Sequence, residues 1–139
     1  MNKSINSDLL EIVEKKVLLS TMTYDHKNYD DVEEELHDLE DDFLDEHGDF
    51  FEDIISDVHE KIKSDSDVLL PIAYLGSRYS KAEKNKDGSV RYEAEFGEGV
   101  VIETELYPKD ETRLVLIPNP LRMELLVGKS KKQIVWEAK

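Results

Sequence analysis

Apolar residues recur at helical spacing through the first half of the chain and at alternate positions through the second. Leu10, Val13 and Val17 fall on one helical face, widened by Leu9 and Ile12, which predicts a first helix over residues 8–22. Asp8 and Glu11 fit a capping box at its start. The β-branched and hydroxyl run from Val17 to Thr23 weakens its end and is also compatible with a short strand. Tyr24 to Tyr29 reads as a connector. Asp30 and Glu33 repeat the capping pattern and open a second helix over 30–46, with the stripe Val32, Leu36, Leu39, Phe43. His47-Gly48 is a stop signal, because glycine takes the left-handed cap conformation at little steric cost. Asp49 and Glu52 give the pattern a third time, opening a helix over 49–63 with the stripe Phe51, Ile55, Val58, Ile62, broadened by Phe50 and Ile54. Two helices of similar length joined by a tight link predict an antiparallel hairpin. The rival is one continuous helix over 30–63, since His47 and Phe50 nearly continue the stripe. Gly48 and the Asp49 cap favour the hairpin.

After the loop Ser64-Asp65-Ser66-Asp67 the period changes to two. Val68 to Leu75 is an apolar run, read as a strand or a short helix, and Pro71 confines it to an edge if it is a strand. Lys84 to Ser89 is a hairpin turn built on Asp87-Gly88. Val90, Tyr92, Ala94 and Phe96 alternate with polar residues, as do Val100, Ile102, Thr104 and Leu106 beyond the turn Gly97-Glu98-Gly99. Further strands follow at 113–117, at 121–127 beyond the bend Pro118-Asn119-Pro120, and at 133–137 around Trp136. Short connections imply an antiparallel meander of five to six strands with one apolar face, which the helices are placed to cover. The expected fold is therefore one α+β domain over 1–139. Its N-terminal helices, about three and including the acidic hairpin, occupy 1–67, and they pack on a C-terminal antiparallel meander over 68–139.

Charge divides the chain at the same place. Residues 1–67 hold 22 acids and six bases, whereas residues 68–139 hold 11 acids and 12 bases. Within the first half, Asp25 to Glu60 contains 17 acids and the single base Lys27. Such a balance argues against nucleic acid and anionic membrane as direct partners, since both are polyanions. The chain has no cysteine, so disulfides, thiolate metal sites and cysteine nucleophiles are excluded. The first eight residues lack an apolar stretch, no run approaches the ~20 apolar residues of a membrane span, and a cytoplasmic protein without a signal peptide is expected.

The acidic helices are the leading candidate site. Like charges at i,i+4, such as Glu34–Asp38, Asp38–Asp42 and Asp42–Glu46, each destabilise a helix by a few tenths of a kcal/mol. A sequence shaped for stability alone would interleave lysines. Glu34, Glu35, Asp38, Asp41, Asp42 and Asp45 are the expected contact residues for a basic protein partner, which their field would steer. The expected function is a non-enzymatic binding module: an immunity or antitoxin-type inhibitor covering a toxin's cationic site, a chaperone, or a mimic of nucleic-acid charge. The alternatives are a ligand-binding or enzymatic domain with its pocket between sheet and helices, and an assembly subunit pairing through a sheet edge or the run 68–75.

Other chemistry is weaker, and no cofactor is called for. His37, Asp41, Glu46 and His47, with His59 beyond, suggest metal ligation, but Glu34-x-x-His37 is one half of a di-metal helical motif and has no second copy. The stretch Glu83-x-Asn85-x-Asp87-Gly88 superficially resembles a calcium loop. Ala94 stands where the bidentate glutamate would be, so a hairpin turn is the better reading. No nucleophile elbow and no phosphate-binding glycine loop occur. Glu93, Glu95, Glu103 and Glu105 could oppose one another as an acid/base pair, but Arg78, Arg91, Arg113 and Arg122 are expected to neutralise them across strands. Tyr24, Tyr29, Tyr74, Tyr79 and Trp136 read as core residues before interface anchors.

Overall fold

The computed structural model describes residues 2–76, 79–82 and 84–138, with side chains from Ile5 onward. Two helices, α1 (Asn2–Ser20) and α2 (Tyr29–Lys61), run antiparallel to each other, and both contribute to a core against one face of a four-stranded sheet. Among the described residues there are six strands. Strands β1 (Tyr79–Lys81) and β2 (Tyr92–Ala94) form a two-stranded ribbon. Strands β3 (Val100–Ile102), β4 (Thr112–Ile117), β5 (Arg122–Val127) and β6 (Lys131–Glu137) form an antiparallel meander in that order. The α+β class and the antiparallel pairing are as expected from the change of period. The expected single meander of five to six strands is in fact split into a sheet of four and a ribbon of two.

The split follows from burial. Every residue of β5, and all but Arg113 of β4, is buried, so both faces of this strand pair are covered. Leu114 and Leu116, opposite Leu125 and Met123, face the helices with Val127. Val115, Ile117 and Leu126 point the other way, onto Tyr79, Tyr92 and Ala94 of the ribbon. Continuous apolar runs are what strands covered on both faces carry. Gly99, with φ +89°, starts the meander where a side chain would run into the Leu114 carbonyl. Helix α1 serves both cores. Ile5, Leu9 and Ile12 enter the first, while Leu10, Val13 and Val17 enter the second.

The expected helical hairpin is not formed: α2 is one helix of 33 residues that runs through Gly48. Glycine inside a helix costs roughly 1 kcal/mol relative to alanine, which is less than the burial it would interrupt. Phe43 and Phe51, two turns apart, stack at 5.5 Å across this point, and Phe51 also meets the Trp136 ring edge-on at 6.0 Å. Burying side chains of that size contributes about 1.5–3 kcal/mol each. None of the three Asp-x-x-Glu starts caps a helix. Asp8 lies in mid-α1, Asp30 in the first turn of α2 behind Asn28, and Asp49 in mid-α2. In so acidic a segment the pattern recurs by composition. Residues 68–75, read as strand or short helix, form a loop and a 3₁₀ turn (Pro71–Tyr74) opened by its proline. The 100–106 strand stops at Ile102, and Thr104 turns inward to hydrogen-bond the Ile62 carbonyl.

Arg122 fastens the ribbon to the sheet. Its guanidinium is fully buried and donates to Glu124 Oε2 at 2.7 Å, to the Pro120 carbonyl at 2.8 Å and to the Tyr92 carbonyl at 2.6 Å. Arg122 was expected to neutralise a surface glutamate across strands, and instead it pairs two residues along its own strand. Arg113 pairs with Glu111 at 3.0 Å, and Arg78 lies outside the described residues.

Two stability measurements test this architecture. Gly48 has no atom within 4 Å of an added methyl group, so Gly48→Ala should stabilise the protein by roughly 0.5–1 kcal/mol in urea unfolding. A hairpin turn with glycine in the left-handed region would give a loss instead. Arg122→Met should cost about 3–5 kcal/mol by leaving Glu124 buried and unpaired. Much of that loss should be recovered in the Arg122→Met/Glu124→Leu double variant.

Candidate functional site

Helix continuity fixes the shape of the acidic surface. Glu34, Asp38, Asp41 and Asp45 are spaced 4-3-4, which places them on one stripe of α2, and all four are exposed. Because the helix does not stop at Gly48, Asp49 and Glu52 extend the same stripe, and both are exposed. At 1.5 Å per residue the stripe is about 27 Å long. Asp49 and Glu52 were missed as members, since a hairpin would have turned them away.

Glu35 and Asp42, the other two expected contact residues, stand seven positions apart on the flank toward α1. Glu35 accepts from Lys15 Nζ at 2.5 Å, and Lys16 Nζ approaches Glu40 at 4.0 Å on the opposite flank. Asp42 lines a crevice of about 110 Å³ between the helices with Asp8, Glu11 and Glu46. Lysines therefore reach the flanks of α2 but, among the described residues, not its outer stripe. Among the described residues, no ion pair involves Glu34, Asp38, Asp41 or Asp45. Asp30 and Asp31 interact favourably with the N-terminal end of the helix dipole, but charges in mid-helix gain nothing from it.

Of the expected metal-binding candidates, His37, Asp41 and His59 are dispersed, while Glu46 and His47 come together. His37 and Asp41 are exposed, and His59 is buried near the far end of α2. The structure does gather Asp8, Glu46 and His47, whose ligand atoms all lie within 4.8 Å of one another. His47 Nε2 is 2.8 Å from Asp8 Oδ2 and 3.7 Å from Glu46 Oε2. Such a mixed imidazole and carboxylate set could hold a divalent cation. Its evident role in the fold is to join α1 to α2, and nothing in the sequence spacing links Asp8 to His47.

Side chains from helices and sheet pack into one apolar core, with Phe51, Ile55, Leu114 and Leu125 among its buried members. The larger concavity, about 500 Å³, lies at the outer edge of β3 and is lined by Lys63, Glu103, Glu105, Tyr107 and Glu111 among others. Glu103 and Glu105 thus open onto a cleft, whereas Glu93 lies in the ribbon opposite Ser80. The Asp87-Gly88 stretch forms the expected turn, with Asp87 Oδ1 accepting from the Ser89 backbone and hydroxyl, and Glu83 lies outside the described residues. Of the aromatic residues, Tyr74 and Tyr79 are core. Tyr79 donates to the Leu116 carbonyl at 2.8 Å, and burial holds its hydroxyl well above the ordinary tyrosine range. Tyr24 is 84% exposed and stands against Tyr29 with ring centroids 4.9 Å apart. No helix among the described residues is long and apolar enough to cross a membrane.

If the outer stripe is destabilising, inserting one cation should help the fold. Asp38→Lys places a lysine four residues after Glu34 and four before Asp42. It should raise stability by roughly 0.2–0.5 kcal/mol per pair in thermal or urea unfolding at low ionic strength, with the gain shrinking in 1 M salt. Comparison of the chain with protein-family models, with curated proteins and with solved structures gives no match.

Proposed function

We propose that this chain is a non-enzymatic protein-binding module that presents the outer stripe of α2 to a basic protein partner. The observation that carries the reading is the contrast within one helix. Its flanks are matched by Lys15 and Lys16, while the stripe from Glu34 through Glu52 is solvent-facing and unmatched. Repulsion along that stripe lowers the stability of the free protein and is relieved when lysines and arginines arrive. A rigid helix is a suitable carrier, because its carboxylates are held in place before binding and little ordering cost remains. The partner class is a protein with a cationic groove or active site. An inhibitor of the immunity or antitoxin type would work by placing carboxylates where the target's anionic substrate would lie. A chaperone would shield the same cationic surface during folding or delivery.

The test compares the wild type with the triple variant Asp38→Lys/Asp41→Lys/Asp45→Lys as bait in native lysate. Proteins held at low salt by the wild type, released by high salt and not held by the variant are identified by mass spectrometry and then purified. The expected result is a basic partner whose association rate falls steeply with ionic strength and falls further in the variant, with a smaller effect on dissociation. Equal retention by both baits, or binding indifferent to salt, would remove the reading.

A further inference from the structure

Near the C-terminal end of α2 three groups form one hydrogen-bonded chain. His59 Nε2 lies 3.1 Å from the Tyr74 hydroxyl, and the oxygen of that hydroxyl accepts the Leu69 N–H at 3.0 Å. His59 is 3% exposed and Tyr74 fully buried. An amide can only donate, so the Tyr74 oxygen is the acceptor in the second bond. The hydroxyl's own hydrogen finds an acceptor in the imidazole nitrogen beside it when the ring proton sits on Nδ1. That nitrogen is buried without a hydrogen-bond partner among the described residues.

The chain of bonds works in one protonation state. A proton added at Nε2 turns the acceptor into a donor. The Tyr74 hydrogen must then leave the line of the bond, and among the described residues no other acceptor is bonded to it. Among the described residues no ion pair reaches His59, and the Ser66 backbone alone favours the charged ring. The 3₁₀ turn brings Tyr74 to the ring and the loop brings the Ser66 backbone, while the loop's charged residues Lys63, Asp65 and Asp67 are all exposed. On α2 itself Glu60 and Lys61 are exposed. From α1, Lys15 and Lys16 reach Glu35 and Glu40 at the other end of α2. From β6, Lys131 lies over the Tyr107 ring, Lys132 reaches the Ala94 carbonyl, and Glu137 is exposed.

We propose that His59, Tyr74 and the Leu69 amide form a proton-operated latch, which holds the strap of residues 67–70 against the 3₁₀ turn only while His59 is neutral. At the far end of the strap Leu70 is tied to the turn, its carbonyl accepting from the Ala73 N–H at 2.9 Å, so the latch acts on Asp67 to Leu69. Ser66 is fixed separately, its hydroxyl accepting from the Glu103 N–H at 2.9 Å, and Val68, Leu69 and Leu70 are 39%, 41% and 59% exposed. Release frees this apolar strap and uncovers the Tyr74 hydroxyl. Burial lowers the His59 pKa below the ordinary histidine value of 6.5, with the Ser66 backbone acting in the opposite sense. The unfolded chain therefore takes up the proton first as pH falls. The latch contributes its full stability above pH 6.5 and loses it as pH falls through the lowered value.

The test is amide hydrogen exchange and imidazole ¹⁵N chemical shifts of the full chain, followed from pH 8 to pH 5. The neutral ring should show the proton on Nδ1. Protection of the Leu69 amide, corrected for intrinsic exchange and referenced to β5 amides, should fall on the order of tenfold as His59 titrates. His59→Gln keeps an oxygen that can accept from Tyr74 but cannot titrate, so its Leu69 protection should be independent of pH. A neutral ring protonated on Nε2, or Leu69 protection unchanged while His59 titrates, would overturn the proposal. Both of these readouts come from the wild-type protein and do not depend on the variant folding.

Discussion

Strands β4 and β5 carry apolar side chains on both faces, and water has to be kept from both. One face holds Leu114, Leu116, Met123 and Leu125, the other Val115, Ile117 and Leu126. A two-stranded hairpin cannot satisfy this requirement alone. The helices cover the first face and the β1–β2 ribbon covers the second, while α1 contributes to both cores by presenting adjacent stripes of its surface. The position of every other element follows from that double coverage. The edge strands β3 and β6 are only partly buried because each lies where one of the covers ends.

The second cover contains the polar part of the interior. A ribbon with two three-residue strands brings little apolar area of its own, and its attachment depends on directed bonds. Arg122 supplies one, to the Tyr92 carbonyl, while its bonds to Glu124 and Pro120 hold the guanidinium in the sheet, and Tyr79 adds a bond to the Leu116 carbonyl. Asn119 extends the same attachment to α1 and to the ribbon: its N–H donates to Asn6 Oδ1 at 2.7 Å and its side-chain amide to the Val90 carbonyl at 2.6 Å. A buried ion pair of this kind adds less to net stability than its short distances suggest, because both charges lose their hydration. The link between the two layers is the Arg122 bond to the Tyr92 carbonyl, which fixes one point of the ribbon over β5.

The first cover joins stability to the proposed activity. Helix α2 is held by its inner stripe, with Phe43, Phe51, Ile55 and Val58 buried, and that anchorage is strong enough to keep a glycine and a run of mutually repelling carboxylates helical. The charge is thus carried by an element that cannot fold away from it. Had the helix broken at Gly48, the carboxylates would have been divided between two shorter helices facing different directions.

The sequence by itself determined the fold class, the two halves and most of the buried faces. These are readable because period-3.6 and period-2 patterns record local geometry residue by residue, and the stripes Val32-Leu36-Phe43 and Phe51-Ile55-Val58 are buried as their spacing requires. It also determined the outer position of Glu34, Asp38, Asp41 and Asp45, since residues opposite a buried stripe face solvent. Local signals failed where a long-range contact outweighed them. Gly48 and Asp49 are valid stop and start signals, but the packing of Phe43 and Phe51 contributes more than a cap does. The continuous apolar runs of β4 and β5 could not reveal that a separate ribbon would cover their second face. The meeting of Asp8 with His47, and of His59 with Tyr74 and Leu69, depends on how helices and loops approach one another. Those approaches are set by the two cores together, and no spacing along the chain encodes them.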